Sequence, residues 1–271
     1  MNYTQRPGVR RHSFGKIMAI ICAVAAGLVI LTLLIMYFCG VRYISVTTGD
    51  DLKIKFFGTV DDEGNPVRGM IRYSDGTQAS IDSETGILSY SSGDKYTGSL
   101  LKMMKDGEGK LECANGDIFE GQFKNDLIDG SGAFTSASGD SYVGEFKLGK
   151  MDGQGVYTYA DGSIYTGAFK EGRKDGEGEM VSSSGDKYTG TYSEDKKDGH
   201  GTHFWANGDT YTGDFKNDVR EGVGTYIWAN GEKYEGEFKD NIMNGKGTFT
   251  WPGGRVYTGY FENGVIVRTE E

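Results

Sequence analysis

Two apolar patterns of different period divide the chain. From Ile17 to Cys39 the run IMAIICAVAAGLVILTLLIMYFC is continuous, 23 residues without a charge. At 1.5 Å rise per residue, a helix of this length spans a hydrocarbon core of about 30 Å. From Gly93 onward, apolar residues alternate with polar ones instead. A glycine returns every 23 residues, at Gly93, Gly116, Gly139, Gly162, Gly185, Gly208, Gly231 and Gly254. One unit reads GDTYTGDFKNDVREGVGTYIWAN, from Gly208 to Asn230. Seven complete units fill 161 residues and an eighth is incomplete. Self-similarity at a fixed short period predicts a repeat architecture.

Within a unit, Tyr211, Gly213 and Phe215 stand two apart, so a strand places them on one face. Gly222, Gly224, Tyr226 and Trp228 do the same on a second strand. Lys216 to Glu221 reads as a polar loop between them, and Ala229-Asn230-Gly231-Glu232 as a turn with residues that tolerate positive φ. Each unit is therefore a predicted β-hairpin, marginal alone and dependent on its neighbours. Aligned units give an aromatic column from Tyr96 to Tyr257, a second from Leu100 to Phe261, and an unbroken glycine column between them from Gly98 to Gly259. A glycine between two large rings leaves room for a ring from a neighbouring strand to cross over it.

The rhythm begins earlier in degraded form. Phe56, Gly58, Val60, Gly69 and Gly76 fall in phase with a unit starting at Lys53. The next, Gly76 to Ser92, lacks its middle loop, leaving QASID and ILSYS as candidate strands around SETG. Terminal repeats are commonly atypical because they cap the stack. The expected organisation is a basic tail (1–16), a transmembrane helix (17–39), a tether (40–52), a degenerate N-terminal cap (53–92) and the repeat array (93–271). A cleaved signal peptide would carry a shorter apolar region, about 7–15 residues, and a small-residue site; this run is longer and ends in the bulky MYFC. Arg6, Arg10, Arg11 and Lys16 precede it, whereas Arg42 alone follows closely, before Asp50 and Asp51. The positive-inside rule then puts the N-terminus in the cytoplasm and the array in an extracytoplasmic or lumenal space.

The stretch YTGDFKNDVREGVGTYIWANG resembles the MORN repeat, with its Tyr-x-Gly-x-aromatic, loop, Gly-x-Gly and closing glycine. The likeness covers Gly93 to Phe261, with a fainter trace back to Lys53. Seven consecutive gap-free copies make it specific. It implies an all-β, elongated and curved array of antiparallel hairpins, here preceded by one transmembrane α-helix. It also implies membrane association or protein–protein contact, with any chemistry left to other domains.

Charge and candidate chemistry narrow the function. No Asp or Glu precedes position 50, and from residue 17 onward 39 acidic residues face 25 basic ones, a net of −14. That argues against nucleic acid as a partner, since phosphate binding relies on Lys and Arg. No phosphate-binding Gly-rich loop ending in Lys-Ser or Lys-Thr, kinase-type catalytic loop or nucleophile elbow occurs, so no enzyme activity and no cofactor are expected. The three cysteines make no disulfide framework. His200 and His203 lie three apart, which on a strand points them to opposite faces, and no metal spacing completes them. Asp94, Asp117, Asp140, Asp186 and Asp209 follow the repeat glycines, where turn chemistry explains them better than a calcium ladder.

Two surfaces remain as candidates for recognition. The row Tyr159, Trp205, Trp228 and Trp251 is the most exposed-looking part of the aromatic columns, broken by Ser136 and Ser182. Lys150, Arg173, Lys174, Lys196, Lys197 and Arg220 form a positive stripe along one loop edge of an acidic body, suited to anionic lipid headgroups or an acidic polymer. The leading expectation is a non-catalytic, single-pass scaffold that binds another protein. A module apposing two membranes through its basic edge, and an accessory subunit of a separate enzyme, are the alternatives. An exposed half-hairpin at the C-terminal end also offers a sheet edge for a homodimer.

Overall fold

The computed structural model describes residues 14–48, 51–82 and 84–267, with side chains from residue 21 onward. Arg6, Arg10, Arg11, the Lys16 side chain and Asp50, on which the expected orientation rests, lie outside the described residues. The described residues are all-β apart from one helix, and the chain divides into two compact units at Ser91/Ser92.

In the first unit, α1 (Phe14–Phe38) is followed by five strands: β1 (Val41–Thr47), β2 (Lys53–Val60), β3 (Pro66–Tyr73), β4 (Gln78–Ile81) and β5 (Ile87–Tyr90). They pair in chain order as an antiparallel meander. The helix is long and apolar enough to cross a membrane, with a mean hydropathy of 2.6 over Ile21–Phe38, and none of those side chains is buried. The expected tether at 40–52 is corrected here. VRYISVT alternates outward and inward residues, and its β-branched members fit a pleated surface, so once β2 follows it, it pairs along its full length from Val41↔Thr59 to Thr47↔Lys53. Both candidate strands around SETG form, as β4 and β5. Ile54, Phe56 and Ile71 are buried on one sheet face together with Ala79, Ile81 and Leu88.

The second unit contains sixteen strands between Lys95 and Val267, arranged as successive antiparallel hairpins. In the hairpin of Thr210–Lys216 and Val219–Ile227 the register is Tyr211↔Tyr226, Gly213↔Gly224 and Phe215↔Arg220, with a shift between Gly213 and Phe215. The polar loop expected from Lys216 to Glu221 shrinks to two residues. Asn217 (φ 50°) and Asp218 (φ 69°) both occupy the left-handed region, which makes a tight hairpin turn and leaves Lys216 and Val219 paired.

The glycine column has a specific cause. Tyr211 lies flat along the sheet, so a Cβ on Gly213 would meet its hydroxyl at 2.5 Å and one on Gly224 would meet ring and hydroxyl at 2.5 Å. The ring over Gly224 comes from the paired strand, as expected, but the ring over Gly213 belongs to its own strand. Reaching past Gly213, Tyr211 Oη donates to the Asp214 carbonyl at 3.0 Å. Tyr96, Tyr142, Tyr165, Tyr188 and Tyr234 repeat this bond to the carbonyl three residues on, at 2.9–3.2 Å. All six are at most 2% exposed. Their phenols are satisfied inside the sheet, so burying them carries no unpaired hydroxyl.

Carboxylates lace both margins of the array. At one margin Asp94, Asp117, Asp140, Asp186 and Asp209 each accept the amide of the residue twenty positions later, at 2.8–2.9 Å. This is the turn chemistry expected of those aspartates. The position twenty after Glu232 is Pro252, which has no amide to donate, and the lacing stops where Asp is replaced by Glu. At the other margin the amides of Lys105, Lys174 and Lys197 donate to Asp126, Asp195 and Asp218, and that of Arg220 to Asn241. Much of the acidic excess thus ties one repeat to the next.

Candidate functional site

Near the end of each second strand one residue, and just past that end a second, project from the same face as the tyrosine column, and in the C-terminal half both are aromatic. His203 stacks on Trp205 at 4.1 Å, while Tyr226 and Trp228 at 4.5 Å and Phe249 and Trp251 at 4.7 Å pack as tilted pairs. The gaps between hairpins close as well, since Trp205 lies 5.4 Å from Tyr226 and Trp228 lies 5.4 Å from Phe249. Six rings therefore form one row running across the strands. The three tryptophans are half-buried, not the open platform expected, because Trp205 and Trp228 are each flanked by a ring of the next hairpin and Trp251 is covered by the Arg255 guanidinium, 3.7 Å from its ring centroid. Tyr159 stands apart. It pairs with Tyr157 at 4.6 Å, and the next equivalent position is Ser182, which hydrogen-bonds Ser184. The sequence columns held every member of the row; what they lacked was that two columns interleave into one.

The six cations expected on one edge separate into two sets. Neighbouring residues of a strand point to opposite faces, so Lys196 and Lys197 cannot share one. Lys150 and Arg173 lie outward beside the next turn, 3.9 Å from Glu171 and 3.4 Å from Glu194, and Lys196 reaches Asn217 at 3.4 Å. Lys174, Lys197 and Arg220 fold over the aromatic face. Lys174 sits 5.6 Å from the Tyr165 ring and Lys197 4.7 Å from that of Tyr188. Arg220 is 5.1–5.6 Å from four rings, those of Trp205, Tyr211, Tyr226 and Phe238, and donates to the Asn241 carbonyl at 2.8 Å. Among the described residues none of these three inner cations has a carboxylate within salt-bridge distance.

The electrostatics follow from that burial. Desolvation pushes the Lys197 ammonium below its ordinary pKa. It pushes His203 down to about 4, helped by Lys197, whose Nζ lies 3.4 Å from His203 Nδ1. At neutral pH His203 is thus an uncharged ring of the row. His200 faces the opposite way, is exposed, and meets Asp214 at 3.1 Å. Tyr226 Oη donates to Asp209 Oδ2 at 2.7 Å. This holds the Asp209 carboxyl down, while burial first and that carboxylate second raise the Tyr226 phenol to about 12. Tyr192 occupies a column held elsewhere mostly by Phe, and its buried hydroxyl has no partner among the described residues.

This is a repeat surface of rings and half-desolvated cations, suited to binding more than to bond making. The MORN-repeat family model matches residues 96–118, 119–141, 142–164, 165–187, 188–210, 211–233 and 234–254. The chain belongs to the MORN-repeat family. Its repeats are a non-catalytic binding class that serves protein interaction or membrane association. No curated protein matches the chain. Among solved structures it is similar to the Drosophila melanogaster SAS-4 TCP domain in complex with a proline-rich motif of Ana2, at 15% identity and a TM-score of 0.30, over 81% of this chain and 90% of that one. It is also similar to the Danio rerio CPAP TCP10 domain in complex with a STIL peptide, at 12% identity and a TM-score of 0.33, over 81% of this chain and all of that one.

Proposed function

We propose that the protein is a single-pass, membrane-anchored scaffold whose array captures a segment of another protein along the row from His203 to Trp251. The observation that carries this reading is the row itself. The Tyr96–Tyr234 column already closes the interior, so six further rings in mutual contact, with Lys197 and Arg220 against them, exceed what packing requires. Rings and desolvated cations together favour a segment carrying both apolar groups and carboxylates. α1 supplies the anchor, with the N-terminus cytoplasmic and the array outside or in a lumen.

The test uses the full chain in its membrane. Proteins retained by the wild type are compared with those retained by a Trp205→Ala/Trp228→Ala/Trp251→Ala variant that keeps its thermal transition. A partner lost from the variant and retained by Lys150→Ala/Arg173→Ala/Lys196→Ala supports the row as the site. Equal retention by both variants rejects it. Recognition of anionic headgroups or an acidic polymer is the second reading, and the inner cations Lys174, Lys197 and Arg220 favour it, because they lack carboxylate partners. Their combined change to Gln abolishes binding to acidic liposomes if that reading holds. Protease protection of the array in intact cells tests the orientation.

A further inference from the structure

The first unit carries an exposed apolar row that its own folding does not use. Tyr43, Phe57 and Met70 are cross-strand neighbours on β1, β2 and β3, in the register Tyr43↔Phe57 and Phe57↔Met70. They are 66%, 52% and 43% exposed, while Ile54, Phe56 and Ile71 on the opposite face are at most 1% exposed. Phe56 lies across Gly58 and Gly69 as Tyr211 lies across Gly213 and Gly224. Phe57 and Met70 therefore stand where the repeat has Thr212 and Thr225. The face that carries the pair Thr212↔Thr225 in that hairpin is aromatic and apolar here. Tyr43, Lys55, Phe56, Phe57, Met70 and Arg72 line a groove of about 480 Å³ on it.

The charges nearest this row are cationic, with the Asp82 carboxylate close to one of them, Arg68. Lys55↔Arg72 forms the next cross-strand pair on one side and Thr59↔Arg68 the next on the other. All three cations are exposed, and none makes a salt bridge among the described residues. An apolar strip rimmed by exposed Lys and Arg, of which Lys55 and Arg72 make no salt bridge among the described residues, matches a bilayer surface, where aromatic rings sit at headgroup level and cations meet anionic lipids.

The chain itself says which surface is within reach. Only Cys39 and Gly40 separate α1 from β1, and two residues span at most about 7 Å. Arg42 shortens the link further, donating to the Tyr37 carbonyl at 2.8 Å with its guanidinium 4.3 Å from the Tyr37 ring centroid. Tyr37 and Phe38 at the helix end are themselves exposed. We infer that the β1–β3 sheet docks on the bilayer that α1 crosses, seating Tyr43, Phe57 and Met70 in the interface with Lys55, Arg68 and Arg72 on anionic headgroups. This rests on the anchor reading of α1. It gives the degenerate repeats a role besides capping, as a foot that fixes the first unit against the membrane.

The test places the full chain in bilayers of phosphatidylcholine with and without phosphatidylglycerol. A bimane label is attached at Ser80→Cys, on the same face beside Met70, or at Thr212→Cys in the array, with the native cysteines changed to Ser. Quenching by shallow doxyl-labelled lipid should be at least threefold stronger at Ser80→Cys than at Thr212→Cys in the anionic bilayer. It should fall by half or more without phosphatidylglycerol, and to the Thr212→Cys level in the Tyr43→Ser/Phe57→Thr/Lys55→Glu/Arg72→Glu variant. Equal quenching at the two labels, or no response to lipid charge, overturns the docking; a chain that still resists alkaline extraction keeps the anchor reading intact. A chain released by alkali overturns both. Concentration-dependent self-quenching at Ser80→Cys, in place of lipid quenching, assigns the face to a second copy and rejects the bilayer. The lipid-charge comparison needs no substitution in the foot, so the inference stands or falls even if the fourfold variant fails to fold.

Discussion

The tyrosine column and the tryptophan row project from one face of one array, yet they occupy different energetic positions. Tyr211 is wholly buried, lies on two glycines and has its hydroxyl bonded inside the sheet. Trp228 sits where the strand enters a turn, half-buried, held by the rings of its neighbours. Both recur at the 23-residue period in the C-terminal half, so periodicity alone does not separate architecture from recognition. What separates them is what lies beneath each ring. A ring over a Gly–Gly pair leaves no space for another occupant, whereas a ring at a turn keeps one side available.

The sharpest break in that comparison comes at the glycines. Gly224→Val places a side chain into the volume of the Tyr211 ring and should lower stability by about 3 kcal/mol, with Tyr211→Ala costing roughly 3–4 kcal/mol, as read by denaturant unfolding. Tyr211→Phe, which loses only the bond to the Asp214 carbonyl, should cost about 1 kcal/mol.

Next in size is the titration of His203. Its folded pKa of about 4 lies below the ordinary 6.5. Above pH 6.5 neither state binds the proton. Between 6.5 and 4 the unfolded chain binds it and the folded chain does not, so stability falls as pH falls and levels off below about 4. The loss amounts to at most about 3 kcal/mol. His203→Phe should remove that step from the difference between the two unfolding curves, and unchanged pH dependence would show the imidazole to be charged in the row.

Trp228→Ala tests the other side of the comparison. A half-buried ring at a turn should cost only about 1–2 kcal/mol, well under Tyr211→Ala, while partner retention is lost. Equal destabilisation by the two variants would erase the distinction. The smallest effect is expected at Tyr192→Phe. Removing a buried hydroxyl without a partner should raise stability by about 0.5–1 kcal/mol, visible as a shift of the denaturant midpoint at constant slope.

Most of the array was legible in the residues because strand alternation and repeat spacing are local properties. The Tyr, Gly and Phe columns follow directly from them. Three readings failed where the outcome depended on pairing. Lys216–Glu221 looked like a loop because it is polar, but Asn217 and Asp218 tolerate positive φ and close the turn in two residues. The stretch at 40–52 looked like a tether because its strand partner, Lys53–Val60, comes later in the chain. The six basic residues looked like one stripe because sequence stacking ignores that Lys196 and Lys197 face opposite ways. Of the six, only Lys197 and Arg220 reach the row, Lys174 lying over Tyr165 and Tyr192, and the interleaving of two aromatic columns into that row was not legible in the sequence.

The sequence by itself determined the period, the hairpin, the family and the faces on which rings lie, since each depends on residues within one or two units. The tertiary structure alone decided which rings are closed and which remain available, and which cations are neutralised. Those outcomes depend on what the adjacent strand places under or beside each side chain. In the first unit the same local rule, a ring across Gly58 and Gly69, was readable as a degraded repeat. That Tyr43, Phe57 and Met70 line up on the opposite face, on a sheet whose first strand begins two residues after a membrane-length helix, emerged only when three strands were laid side by side.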